Sequence, residues 1–186
     1  MMSLLSDHGN GQANPENFET SLSPGPCICT HGNLDGSGGN TAASLVADLC
    51  ADGSRLPIYW CSFYSPCLGL FFPIFLEGDL PRILANGSAT PSKDSPWWLF
   101  HRLSHLARQD DTNRIPVVRN GWASFQNRLF NSAYQIAAEG RELIDTGRYE
   151  KAKQLLSDYM TENMSEMLVT VTKILQIFEG QLMVGY

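Results

Sequence analysis

Short apolar runs separated by turn residues dominate the first half of the chain. Runs of this kind, rich in Ile, Phe, Tyr and Val and bounded by Gly, Pro, Asn and Asp, predict β-strands. The predicted strands cover residues 27–31, 41–49, 56–63 and 68–76. In the last two strands, both the odd and the even positions are apolar. Because alternate residues point to opposite faces of a sheet, we expect both of their faces to be covered.

Helical spacing replaces this pattern in the second half of the chain and predicts three helices. Pro96, behind a polar capping residue, predicts a first helix over residues 96–108. A stripe of apolar residues at spacings of three and four predicts a second helix from Gly121 to about Gly147. A similar stripe predicts a third helix over residues 149–182, antiparallel to the second.

The two patterns together predict the domain organisation. Residues 10–26 are mostly Gly, Asn, Ser, Pro and Glu, so we expect residues 1–26 to form a flexible N-terminal segment. Residues 27–186 then form a single α+β domain, with strands between residues 27 and 80 and helices over residues 96–182. A chain of 186 residues is long enough for one sizeable core.

Composition narrows the classes of partner. The formal net charge of -6 argues against the basic surface that binds phosphate, so we expect no nucleic-acid partner. The five cysteines are odd in number and lie mostly in apolar runs, which indicates a reducing compartment. Because Met1 to Leu5 is short and has no basic flank for a signal peptide, we expect a cytoplasmic location.

The uncharged stretch over residues 56–76 is long enough to span a bilayer. Pro57, Pro66 and Pro73 and its content of aromatic and β-branched residues favour strands over a membrane helix. We therefore expect no membrane partner.

Two groups of residues carry the types of side chain that metal sites use. Cys27, Cys29 and His31 alternate at a spacing of two, which in a strand places them on one face, and zinc accepts these ligands. A structural zinc site needs four ligands, and the sequence offers no second C-x-x-C or His pair at customary spacing. His101 and His105 share a helix face, but Arg102 stands where a zinc protease has its general base.

We therefore expect no metal and no cofactor, and a small metal-binding protein built on Cys27, Cys29 and His31 stays open as an alternative. The Gly-rich loop from Gly32 to Gly39 lacks the Lys-Ser/Thr ending of a phosphate-binding loop. A Cys29 nucleophile with His31 as its base is disfavoured, because neighbours on one strand face project in parallel.

The order of several short motifs carries a family resemblance. The motifs are Ile28-Cys29-Thr30-His31-Gly32, then Thr41-Ala42-Ala43-Ser44-Leu45-Val46, then Pro57-Ile58-Tyr59-Trp60, then Ser65-Pro66-Cys67, and later Pro96-Trp97-Trp98-Leu99-Phe100-His101. In this order they resemble the C-terminal region of the secernin and dipeptidase family of N-terminal-nucleophile cysteine hydrolases. The resemblance extends over most of the chain from Ile28 onward, although its motifs are short and degenerate.

The resemblance implies part of an αββα sandwich, in which two stacked antiparallel sheets lie between helices. It implies amide hydrolysis by a cysteine at the mature N-terminus, whose own α-amine acts as the base. No residue here matches that cysteine, because the chain opens with Met1-Met2-Ser3 and Cys27 would need cleavage after Pro26. We therefore expect no catalytic residue in this chain.

The remaining motif residues, Cys29, His31, Ser44 and Cys67, are expected to line the wall of the pocket. The nucleophile would come from an upstream segment or from a separate subunit. The alternative hypothesis is a non-catalytic interaction domain that self-associates into a homo-oligomer through its helices or its open sheet edges.

Overall fold

The computed structural model describes residues 2–6, 28–32 and 38–184, with side chains through residue 180. This part of the chain has an α+β fold, in which one three-stranded antiparallel sheet packs with helices. The elements in chain order are helix α1 (Met2–Leu5), strands β1 (Ala43–Asp48), β2 (Ile58–Phe63) and β3 (Phe72–Ile74), a 3-10 helix (Arg82–Ala85), and helices α2 (Pro96–Arg108), α3 (Asp111–Asp145) and α4 (Tyr149–Val184).

The sheet has the order β1-β2-β3, and both pairings are antiparallel. Val46 lies opposite Trp60, which in turn lies opposite Pro73, so these three residues share one face of the sheet. Trp60 is fully buried and meets the ring of Phe130 in α3 edge to face, at 5.0 Å between centroids. Helix α3 therefore covers this face.

The opposite face of the sheet becomes more exposed from β3 towards β1. Phe72 is buried, and its partner Cys61 is half-buried. Leu45, opposite Cys61 on β1, is 60% exposed, although it is a large apolar side chain. The sheet thus has one face packed on a helix and one apolar face that is partly open.

Helices α3 and α4 form an antiparallel hairpin around Gly147. Gly147 has φ 74°, a conformation that glycine adopts without strain, and its N–H donates to the Ile144 carbonyl at 2.9 Å. The Ser132 and Tyr159 hydroxyls, one from each helix, are 2.7 Å apart. Helix α2 joins the hairpin through Phe100, whose ring stacks on Trp122 of α3 at 5.6 Å.

The structure differs from the predicted elements in three places. Residues 28–31 are not a strand, so the predicted strand over 27–31 is wrong for the residues that the structure describes. The strand predicted over residues 68–76 is reduced to the three residues of β3. Helix α3 begins at Asp111 rather than near Gly121, because Pro116 in its second turn does not break it.

Two further expectations concern the N-terminal segment and the membrane. Within the segment predicted to be flexible, Met2–Leu5 forms α1, and Met2 and Leu5 pack against the core. Residues 7–27 lie outside the described part of the chain. Across the described ranges, no helix combines the length and the apolar character that crossing a membrane requires.

Candidate functional site

Two cysteines meet one histidine imidazole, which makes this cluster the candidate site. The Nε2 atom of His31 lies 3.4 Å from the Cys29 Sγ and 3.2 Å from the Cys67 Sγ. The three potential ligand atoms all lie within 4.8 Å of one another. Cys29 is fully buried, whereas His31 and Cys67 are half-buried. We call these three residues the thiol–imidazole cluster.

Hydrogen bonds to neighbouring segments hold the stretch that carries Cys29 and His31. The Thr41 N–H donates to the Thr30 carbonyl at 2.9 Å, and the Thr30 N–H donates to the Thr41 hydroxyl at the same distance. Arg108, at the end of α2, donates to the Gly32 carbonyl at 2.5 Å. This pairing is too short to form a strand, so the backbone bends and both side chains reach one point.

A tight turn after β2 delivers Cys67 to the same point. Tyr64 begins this turn with φ 56° and is the one non-glycine residue with positive φ in the described part of the chain. The Leu68 N–H donates to the Ser65 carbonyl at 3.1 Å, and the Leu68 carbonyl accepts from the Trp122 indole at 3.1 Å. The turn is therefore fixed to α3, which defines the position of Cys67.

Two serines form a second layer around His31. The Ser65 hydroxyl lies 3.3 Å from the His31 Nδ1, on the side of the ring opposite the thiols. The buried Ser104 of α2 donates its hydroxyl hydrogen to the Ser65 oxygen at 3.4 Å. When Ser65 accepts a hydrogen bond from the Nδ1–H, the Nε2 lone pair faces both sulfur atoms.

The electrostatic environment keeps the Cys67 thiol protonated at neutral pH in the absence of a bound cation. Burial raises the pKa of this thiol well above its usual value, and the neighbouring Cys29 adds to the rise. The positive charge of Arg119 in α3 opposes this rise. Burial in turn lowers the pKa of Arg119, while a negative charge on Cys67 or Cys29, once deprotonated, would favour its charged form.

The cluster is therefore poorly suited to nucleophilic catalysis, because the reactive form of a cysteine is the thiolate. The cluster does place a cysteine sulfur within reach of an imidazole. A regular strand would make this arrangement awkward for Cys29, but the backbone of this stretch is bent. The two sulfur atoms and the imidazole nitrogen instead form a compact set of potential metal ligands.

The structure brings together three of the four residues predicted to line a pocket wall. Cys29, His31 and Cys67 form the thiol–imidazole cluster. Ser44 lies in β1 opposite Ser62 and is not part of the cluster. Cys27, the third member of the alternative zinc set, lies outside the described residues.

Sequence reasoning missed the second layer of the cluster. Ser65 belongs to the Ser65-Pro66-Cys67 motif, but no sequence pattern links it with His31, which lies 34 positions away. Ser104 and Arg119 lie on helices whose spacing marks only which face is buried. No sequence signal of the kinds used above identifies either residue.

Of the two histidines predicted to share a helix face, His105 lies beside the Gln109 side chain at 3.1 Å, whereas His101 lies among aromatic rings. His101 packs among the rings of Tyr64, Trp97 and Trp98, with centroids 4.8 to 5.5 Å away. Burial, and secondarily the nearby His105, lower the pKa of His101. These contacts give His101 a packing role in an aromatic group.

Comparison of the sequence with protein-family models finds no matching family, and comparison with the curated proteins and with the solved structures finds no significant match.

Proposed function

We propose that this chain is the C-terminal portion of a secernin-like dipeptidase, an enzyme that hydrolyses peptide bonds with an N-terminal cysteine nucleophile. The chain supplies one sheet and part of the pocket wall. The nucleophile comes from an upstream segment or a separate subunit, and the chain is inactive alone. The proposal places the protein in the cytoplasm, in keeping with the free thiols of Cys50, Cys61 and Cys67.

The observation that carries this proposal is the unequal covering of the sheet. In an αββα sandwich, each sheet has helices on one face and the second sheet on the other. Here α3 covers one face. The other face is apolar: it is buried at Phe72 of β3, meets Phe100 of α2 through Phe63 at 5.6 Å between ring centroids, and opens towards solvent at Leu45 of β1. A second sheet would bury Leu45, which is now 60% exposed.

The protonation state of two thiols supports the proposal that the nucleophile comes from outside this chain. Burial raises the pKa of Cys61 as well as that of Cys67, so both thiols are protonated at neutral pH. Neither has the low pKa of an activated cysteine nucleophile. Under the proposal, Cys29, His31, Ser44 and Cys67 belong to the pocket wall and do not attack the substrate.

The first test is the reading frame upstream of this chain, or that of a neighbouring gene, which we expect to begin a segment with Met-Cys. This segment would be produced together with the chain, and complex formation would be measured by size-exclusion chromatography. The variant Leu45→Glu should weaken the association about tenfold or more, because it buries an unpaired carboxylate between the sheets.

Val169→Glu provides the matched control, because Val169 is a comparably exposed apolar residue, 52% exposed, on helix α4 rather than on the sheet. It should leave the association unchanged. Equal loss of association in both variants, or a Met-Cys segment that does not bind this chain at all, would contradict the proposal.

The exposed sheet face also favours the alternative of a self-associating interaction domain, with a second copy in place of the second sheet. Light scattering over a range of concentrations separates the two hypotheses. A dimer that Leu45→Glu dissociates and that excludes the Met-Cys segment would support the alternative, whereas a monomer at every concentration would argue against it.

A further inference from the structure

We propose that Cys29, His31 and Cys67 bind one zinc ion through their two sulfur atoms and the His31 Nε2. This inference does not depend on the proposed hydrolase function, and its test contains no measurement of hydrolysis. Cys67 takes a place in the ligand set that the sequence could not assign to it, because it is 36 positions from His31.

The spacing of the three ligand atoms fits a tetrahedral ion. With bonds of about 2.3 Å to sulfur and about 2.0 to 2.1 Å to nitrogen, neighbouring ligand atoms stand roughly 3.5 to 3.8 Å apart. The two sulfur-to-Nε2 distances are 3.4 and 3.2 Å. An outward shift of a few tenths of an ångström therefore opens the site for the ion.

The hydrogen bonds around His31 are of the kind that orient a metal-binding histidine. Histidines that bind metals through one ring nitrogen commonly hydrogen-bond through the other, which fixes the tautomer and the orientation of the ring. In this site the Ser65 hydroxyl takes that position beside the Nδ1, and Ser104 holds Ser65 from α2. His31 is thus oriented with Nε2 towards both thiols.

Charge balance favours binding at this depth in the fold. A zinc ion that displaces the two thiol protons forms a neutral unit with two thiolates and one imidazole, which lowers the cost of burial. The two protons are released to solvent. The fourth position of the tetrahedron remains for a water molecule.

The experiment begins with the full chain purified under reducing conditions without chelator. Elemental analysis should find about one zinc per chain. After the zinc is removed, titration with Co²⁺ should produce the near-ultraviolet charge-transfer band of cobalt bound to thiolate, and Zn²⁺ should abolish this band. X-ray absorption of the zinc-loaded protein should show two sulfur atoms and an imidazole in the coordination shell.

Variants then assign the ligands. Cys67→Ala and His31→Ala should each weaken zinc binding at least about a hundredfold. Cys61→Ala is the matched control, since Cys61 is a half-buried cysteine of β2 outside the cluster, and it should bind zinc as the unchanged protein does. Circular dichroism shows whether each variant is folded. If a variant does not fold, the absorption spectrum of the unchanged protein still tests the site.

Two results would overturn the proposal. One is a reduced, folded protein that holds no zinc and gives no thiolate band with Co²⁺. The other is a coordination shell without sulfur, or zinc binding that survives in a folded Cys67→Ala variant.

Discussion

At the scale of single residues, the position of Cys67 depends on the turn between Tyr64 and Gly69. A Cβ atom at Gly69 would lie 2.6 Å from the Ser62 Oγ and 3.2 Å from the Ser65 carbonyl oxygen. The first distance is far inside van der Waals contact, so an alanine at this position would force the Ser62 side chain or the turn to shift. The buried Ser62 hydroxyl has no hydrogen-bond partner among the residues that the structure describes.

Gly69→Ala should therefore lower the free energy of unfolding by about 1 to 3 kcal/mol, the range typical of overpacked interior sites. The double variant Ser62→Ala, Gly69→Ala removes the closest contact and should recover part of this loss. Urea unfolding followed by circular dichroism measures both effects.

The matched control is Gly87→Ala, because a Cβ atom at Gly87 meets nothing within 4 Å. It should change the stability by far less than Gly69→Ala. If Gly69→Ala were as stable as the unchanged protein, the close packing of this turn would be refuted.

At the scale of elements, Asp48 links the end of β1 to helix α3. Its carboxylate accepts a hydrogen bond from the Tyr134 hydroxyl at 2.6 Å and forms an ion pair with Arg55, also at 2.6 Å. Burial raises the pKa of Asp48, but the hydrogen bond from Tyr134 and the interactions with Arg55 outweigh it, so the pKa lies below its usual value. The ionised carboxylate therefore stabilises this junction.

Because the folded pKa is the lower one, the contribution of Asp48 is complete above its unfolded pKa of about 3.9 and is lost as the pH falls through the folded value. Tyr134→Phe should move the folded pKa of Asp48 upward, towards the unfolded value, so that the contribution of Asp48 becomes smaller and its loss is complete at a higher pH. Carboxyl chemical shifts measured by NMR against pH give the value directly. Tyr149→Phe, at a residue 63% exposed, should leave it unchanged, and an unmoved pKa in Tyr134→Phe would refute the link.

The helices also show which helix boundaries could be predicted from local sequence signals alone. Helix α2 runs from Pro96 to Arg108, as predicted from the proline at its first position. The start of α4 at Tyr149 also agrees with its prediction, because Gly147 marks the turn before this helix. The start of α3 was predicted ten residues late, since Pro116 and Gly121 resemble breakers, and burial of Ile115 and Val118 overrides that preference.

At the scale of the whole molecule, the candidate site could be predicted only in part. The sequence placed Cys29 and His31 together because they are neighbours in the chain. The approach of Cys67 depends on how the turn after β2 packs against α3, and a single sequence carries no signal for such distant contacts. The predicted strand over residues 27–31 also concealed the bend that lets these side chains converge.

One face of the sheet is apolar and opens towards solvent at β1. Under the proposed function, a second sheet covers this face and brings the nucleophile, and the present chain has none of its own. The thiols of Cys61 and Cys67, whose pKa values are raised by burial, agree with this conclusion.

The most direct measurement of this claim is dipeptide hydrolysis by the purified chain alone, before and after its thiols are alkylated. The account predicts no hydrolysis above the buffer blank in either sample. Hydrolysis that alkylation abolishes would place the nucleophile within this chain and contradict the account.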